Sequence, residues 1–157
     1  NLSVMMAPIL TFLSEEVYEN LPGDRKESVL LEEFPQPQSA WKKDGLQEQF
    51  EHLLAARSEV QKALEELRKN KVIGSGLDSK ITVTASGPQL KVLEQYKDFL
   101  REFFIVSEAK AISGPEFKVL AEKADGTKCV RCWTYSTATG KDSRFPDVCP
   151  KCVEALA

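Results

Sequence analysis

One histidine, His52, two methionines, at positions 5 and 6, and no cysteine before residue 129 leave this 157-residue chain poor in the side chains that most often carry catalysis. No Ser/His/Asp set, catalytic carboxylate pair with an identifiable partner, or dinucleotide fingerprint stands in for them. His52 has neither a second histidine nor a cysteine near it in sequence and reads as an exposed polar residue. Absent too is any apolar run approaching the ~20 residues that span a bilayer. Nor does the amino end show a basic segment followed by an apolar stretch and a cleavage site. The chain therefore reads as cytosolic, with no membrane partner. No low-complexity block interrupts it, and 42% apolar with 29% charged residues suits one large or two to three small folded units. Its opening, Asn1-Leu2-Ser3-Val4-Met5-Met6, is already apolar and helix-like without a start residue or cap, as expected for a piece of something longer.

What is present is concentrated at the other end. All four cysteines fall in the last 29 residues, as Cys129-Val130-Arg131-Cys132 and Cys149-Pro150-Lys151-Cys152, with sixteen residues between the pairs. Two residues between cysteines let a tight knuckle aim both thiolates at one point, and the spacer is long enough to bring the second knuckle back. Two disulfides, an iron site of the same ligand type and free thiols are the competing readings. Paired spacing in a chain without secretory signs favours a metal, and zinc over iron, although spacing alone does not separate those two. With all four thiolates used, no coordination position is left for water or substrate, so the ion reads as a structural clamp.

Net charge is −3 and unevenly spread: residues 1–116 carry 14 Lys+Arg against 19 Asp+Glu, or −5, and residues 117–157 carry 7 against 5, or +2. That argues against a globally basic nucleic-acid binder and makes the cysteine-bearing tail the basic end, by an excess that a solvated surface explains equally well.

Periodicity predicts the elements. Leu2, Met5 or Met6, Ile9, Leu10, Leu13, Val17 and Leu21 recur at helical spacing, with Pro8 kinking the helix or opening a new one and Pro22-Gly23 ending it. Such a stripe is expected to enter a core, unless the other helices of a bundle lie outside this chain. Residues 28–34 suit a short extended segment, Pro35 to Ser39 a linker, and Trp41 an anchor docking the start of the next helix. That helix, about Leu46 to Lys71, carries Leu46, Phe50, Leu53, Val60, Leu64 and Leu67, with Arg57 in the same seam, either snorkelling outward or meeting an anionic group. Gly74-Ser75-Gly76 lacks the residues that would make it a phosphate loop and reads as a turn. The period then shifts to two at Ile81, Val83 and Ala85, a half-buried strand. A helix from Gly87-Pro88 carries Leu90, Leu93, Leu100 and Phe103 or Phe104. Ile105-Val106, Ala109 to Ile112 and Phe117 to Glu122 follow as short strands. These add up to a small mixed sheet packed on the long helix, within an α+β chain divided as 1–45, 46–123 and 124–157.

Several blocks carry a family resemblance. Ala7-Pro8-Ile9-Leu10-Thr11-Phe12-Leu13-Ser14-Glu15-Glu16 resembles the closing helix of the anticodon-binding bundle in class I aminoacyl-tRNA synthetases for branched aliphatic amino acids. Glu27-Ser28-Val29, Arg57 to Glu65, Ile73-Gly74-Ser75, Phe104-Ile105-Val106-Ser107 and above all Glu122 to Ser136, closed by Cys149-Pro150-Lys151-Cys152-Val153, resemble the carboxyl-terminal region of bacterial isoleucyl-tRNA synthetases. The Cys-x2-Cys-Trp knuckle is also similar to the terminal zinc finger of formamidopyrimidine-type DNA glycosylases, and the ordered upstream blocks decide against that relative. Phe34, where the family usually has tryptophan, and Gly76 with Asp78-Ser79 depart from its pattern, outside the cysteine motif.

The resemblance implies a parent that activates isoleucine with ATP, transfers it to its tRNA and edits misloaded valine. None of that machinery is here: the His-x-Gly-His and Lys-Met-Ser-Lys-Ser elements of the class are missing, so the segment is expected to be inactive alone. It further implies the end of an anticodon-binding helical domain in residues 1–45 and a zinc finger in 124–157, lying along the anticodon side of an isoleucine tRNA as part of the longer synthetase chain. Zinc would stiffen the tail so that Lys128, Arg131, Lys141, Arg144 and Lys151 meet phosphates and Trp133 and Tyr135 stack on unpaired bases. The alternative for Trp133 is to cover the knuckle as the module's core. A DNA-binding finger of the glycosylase kind and a scaffold for protein partners are the other functional readings.

Overall fold

The computed structural model describes residues 2–156. The chain is α+β and divides into two compact units, Asn1–Asp44 and Gly45–Ala157.

In the first unit, the predicted single helix is two: α1, Leu2–Met6, and α2, Thr11–Glu19. Pro8 lies in the turn between them, where its ring is compatible with a break and not with a continuous helix. α2 stops at Asn20, before Pro22, its last backbone carbonyls taken by the Asn20 and Leu21 amides. The core is not the predicted stripe. It is Val4, Ala7, Tyr18 and Val29, held by polar contacts: the Glu15 carboxylate accepts from the Ser28 hydroxyl at 2.8 Å and the Val29 amide at 3.0 Å, and the Tyr18 hydroxyl donates to Glu32 while accepting from the Lys26 amide at 2.9 Å. The stripe residues Leu2, Met5, Ile9, Leu10, Leu13, Val17 and Leu21 are exposed, as is Phe12. Helical spacing defined an apolar face but not what covers it. Residues 28–34 are not extended throughout, because Ser28 accepts from the Leu30 amide and tightens Val29–Leu31 into a 3₁₀ turn. Trp41, predicted as an anchor, ends a second such turn, Ser39–Trp41, and is 56% exposed.

The second unit is built on α3, Leu46–Lys69, which ends two residues before the predicted bound, with Asn70 as its cap. Its buried stripe is Leu53, Ala56, Val60 and Leu64. Arg57, beside that stripe, pairs with no carboxylate among the described residues and does not stand free: its guanidinium lies over the Phe103 ring at 5.6 Å. His52 is half-buried on the same helix. The Gly74–Gly76 turn is closed by Asp78, whose Oδ2 accepts from the amides of Gly74 at 2.9 Å and Ser75 at 2.8 Å. Those are the N–H groups a phosphate would have needed, so the turn is self-satisfied. At Gly76 a Cβ would stand 2.8 Å from the Ile105 carbonyl oxygen, a close approach that suits glycine.

β1, Ser79–Ala85, is the middle strand of three. It pairs in parallel with β2, Glu108–Ser113, setting Ile81 beside Ala109 and Val83 beside Ala111. On its other side it pairs antiparallel with β3, Lys118–Lys123, setting Ile81 beside Ala121 and Val83 beside Val119. A parallel pair needs a crossover, and two helices provide it. The predicted single helix is α4, Gly87–Gln95, then a turn, then α5, Leu100–Phe104. Ile105 and Val106 are not a strand: Ile105 caps α5 with φ +58, a left-handed turn that sends the chain back toward β2. Ile81, Val83 and Ala85 face α3, and with Leu93, Leu100, Phe104 and Val106 they form one buried cluster with its stripe. The small mixed sheet packed on the long helix is therefore present.

Candidate metal centre

The tail begins where β3 leaves the sheet. The Ala124 amide donates to the Asp78 carbonyl at 2.8 Å, and Lys80 reaches the Asp125 carboxylate at 2.8 Å. A two-stranded hairpin follows, β4, Thr127–Lys128, against β5, Tyr135–Ser136, with Lys128 opposite Tyr135. Its loop is the first knuckle. The Cys129 amide donates to the Thr134 carbonyl and the Trp133 amide to the Cys129 carbonyl, both at 2.9 Å, and Trp133 takes φ +66, a left-handed turn directly after Cys132 that sends the chain back into β5. The second knuckle is a helix start: Cys149 caps α6, Pro150–Glu154, with Pro150 at its first position, and its carbonyl accepts from the Cys152 amide at 2.9 Å. One backbone bond, from the Val130 amide to the Asp147 carbonyl at 3.1 Å, ties knuckle to knuckle.

These turns bring all four sulfurs within 4.8 Å of one another. A zinc ion bound to four sulfurs at roughly 2.3 Å sets neighbouring sulfurs about 3.8 Å apart, and Cys132 Sγ stands 3.6 Å from Cys149 Sγ. Cys129, Cys149 and Cys152 are buried and Cys132 half-buried. The donor set thus fits one structural zinc ion: four soft ligands, closed to solvent on most sides, with no place for a reacting water.

The surroundings suit thiolates. Burial pushes the Cys129 thiol up, yet the backbone N–H groups of Cys132, Cys149 and Arg131 outweigh it and bring the thiol down to about 6. At Cys152 the Arg131 guanidinium, 3.6 Å from Sγ, pulls downward, while burial and the three neighbouring sulfurs prevail and push it up to about 11. Four sulfurs so close do not all carry charge without a cation among them, which is the electrostatic case for a metal here. Thr134, whose hydroxyl lies 3.0 Å from Cys132 Sγ, supports the same site and was not visible as a site residue in the sequence. Neither was Ser107, whose hydroxyl accepts from the Tyr135 amide at 2.7 Å and donates to the Leu77 carbonyl, seating the hairpin on the sheet.

Around the knuckles the predicted basic and aromatic residues share one module, with different degrees of commitment. Arg144 is held in a fork on Asp142, at 3.2 and 3.0 Å, and Lys151 lies 3.1 Å from Glu102. Arg131 is turned to the sulfur of Cys152. Lys128 stands 4.0 Å from Asp78 and 5.6 Å from the centre of the Trp133 ring. Lys141 is exposed, and no ion pair involves it among the described residues. Tyr135 is half-buried, its amide taken by Ser107. Trp133 does not cover the knuckle: it is 61% exposed, and the module's apolar filling is Val148 with half-buried Phe145 and Val153.

Comparison with known proteins agrees with this geometry. Residues 1–83 match the family described as the anticodon-binding domain of tRNA ligase, and residues 126–155 match the zinc finger found in FPG and IleRS. The chain is 40% identical to an isoleucine–tRNA ligase of Syntrophotalea carbinolica over 97% of its length, 39% to that of Thermotoga maritima over 99%, and 37% to that of Geobacter sulfurreducens over 99%. In each case it spans 18% of the relative's own length. A run of similarity through both units, ending in the cysteine-bearing finger, leads to one conclusion: the chain belongs to the anticodon-binding domain family of tRNA ligases and carries the zinc finger of that lineage at its carboxyl end.

Proposed function

We propose that this chain is the tRNA-binding, non-catalytic end of an isoleucine–tRNA ligase, a cytoplasmic enzyme that joins isoleucine to its tRNA at the expense of ATP. In this reading residues 1–45 belong to the anticodon-binding helices, residues 46–123 are the α/β platform, and residues 124–157 are the finger that meets the anticodon side of the tRNA. The observation that carries it is the arrangement of Trp133. A large aromatic ring stands out in solvent on a left-handed turn directly after Cys132, with Lys128 over its face. A rigid, exposed ring beside a cation is what stacking on an unpaired base requires, and fixing it in advance lowers the ordering cost of binding. Zinc supplies no bond-making chemistry here; bound, it holds the two knuckles together. Lys141 is the cation most available to phosphate; Lys128 has only a long contact to Asp78 to give up, whereas Arg144 and Lys151 must leave close carboxylates.

The test is a salt-dependent binding titration of the zinc-loaded chain with an isoleucine tRNA, a non-cognate tRNA and a duplex DNA. Preference for the first is expected. Lys128→Glu and Lys141→Glu should each weaken binding and flatten the salt dependence by roughly one phosphate contact. Equal affinity for all three ligands would overturn tRNA recognition, and a preference for the duplex would move the finger to the glycosylase-like reading.

A further inference from the structure

Four thiolates around a divalent ion leave a formal charge of roughly −2 in a largely buried place, and such charge needs compensation close by. Within the finger, Arg131 lies on Cys152, while Lys151, between Cys149 and Cys152, is turned to the Glu102 carboxylate. A further cation comes from outside the finger. Arg101, on α5, lines a cleft of about 270 Å³ together with Cys132, Thr134 and Lys151, and also lines the adjoining cleft of about 320 Å³ that contains Cys149. Its guanidinium donates to the Glu102 carboxylate at 2.6 Å, and the same carboxylate oxygen accepts from Lys151 at 3.1 Å. Lys151 lies in α6 between two of the cysteines. Glu102 therefore fastens two things at once: it holds the Arg101 guanidinium in the clefts that Cys132 and Cys149 also line, and it holds the second knuckle against α5. The Glu102 contact and, after it, the thiolates of Cys149 and Cys132 raise the Arg101 guanidinium above its ordinary value, against burial, as expected of a cation that faces negative charge.

We propose that Arg101, oriented by Glu102, is a positioning residue that neutralises the zinc–thiolate centre from outside the finger, so that loading the metal and seating the finger on α5 are one coupled event. Coupling of this kind is reciprocal: whatever factor zinc adds to the seating, the seating adds to zinc affinity. The consequence is that the orientation of the whole basic and aromatic face relative to the α/β platform depends on an arginine outside the cysteine motif. The inference stands on the metal site alone and is independent of whether the chain binds tRNA.

The experiment is a zinc competition titration against a chromophoric chelator, performed on the full chain and on Arg101→Gln, Arg101→Lys, Glu102→Gln and Arg144→Gln. Supporting groups around metal ligands are typically worth 10–100-fold in affinity, and a loss in that range is expected for Arg101→Gln. Arg101→Lys keeps the charge and should recover most of it. Glu102→Gln should fall between, and Arg144→Gln, whose guanidinium rests on Asp142, should match the parent. In the zinc-loaded state Arg101→Gln should also speed hydrogen exchange at the Tyr135 amide, a bond that belongs to the seating and not to the knuckles. Zinc affinity in Arg101→Gln within twofold of the parent overturns the proposal, as does a lysine variant no better than the glutamine. Should Arg101→Gln not fold, weaker zinc binding by Glu102→Gln than by Arg101→Lys supports the proposal and the reverse order refutes it.

Discussion

Removal of zinc is expected to release the tail and leave the rest of its unit folded. The apolar filling of the finger, apart from the ligands, is three side chains, Val148, Phe145 and Val153, the last two only half-buried. Full burial of such a side chain is worth about 1.5–3 kcal/mol, so one buried and two half-buried side chains supply at most about 6 kcal/mol, whereas a structural zinc site supplies about 10–16 kcal/mol; the metal is the larger contribution. The α3 and sheet cluster contains no cysteine and owes nothing to the ion. Hydrogen exchange measured amide by amide separates the two. On chelation the amides of Cys129, Val130, Trp133 and Cys152, all bonded within the finger, should lose protection. If even about 4 kcal/mol of the metal's contribution keeps them closed, their exchange accelerates about a thousandfold. The amides of Ile81 to Thr84 and the middle of α3 should be unchanged. Retained protection in the finger after elemental analysis confirms loss of the metal would refute the reasoning, and melting of α3 would show that the two parts are not energetically separable.

Three further outcomes are expected. Trp133→Ala should weaken binding to an isoleucine tRNA by about 1–3 kcal/mol with no change in thermal unfolding, since the ring is exposed; a stability loss without a binding loss would make it a packing residue. Gly126→Ala should cost the finger at least about 1–3 kcal/mol, read as weaker zinc binding, because φ is +89 and a Cβ would sit 2.3 Å from the Ser136 carbonyl carbon; unchanged affinity would show that the hairpin shifts freely. The Glu102 carboxyl, held down first by Arg101 and, against burial, by Lys151, should titrate by NMR at about 2, and move up toward the ordinary carboxylate range in Arg101→Gln. Because its folded value is depressed, whatever the clasp adds to stability is complete above about pH 4.5 and is lost as pH falls toward 2; a normal titration in the parent would remove the clasp.

Features that depend on neighbours in sequence were legible without coordinates. Cys129/Cys132 and Cys149/Cys152 are each a local turn, so their spacing alone specifies converging ligands. Ile81, Val83 and Ala85 announce a strand because side chains alternate across a sheet, and Leu53, Val60 and Leu64 announce a helix face for the matching reason at period 3.6. What spacing cannot carry is the identity of the partner. The stripe from Leu2 to Leu21 has the right period, yet in this unit Tyr18 and Val29 meet instead, because the break around Pro8 and the Glu15 contacts to Ser28 and Val29 set which side turns inward. The same limit applies to Trp41 and Trp133, whose exposure is decided by the backbone around them.

The sequence by itself therefore determined the four-cysteine metal site, the α+β class and the family, since each rests on short-range pattern. Only the tertiary structure decided that β2 and β3 flank β1 on opposite sides, that Ser107 seats the hairpin, and that Arg101 and Glu102 stand at the sulfur cluster. Those contacts join residues 28 to 49 positions apart, and chain closure over such distances is fixed by the packing of the whole unit, not by any local preference of the residues involved.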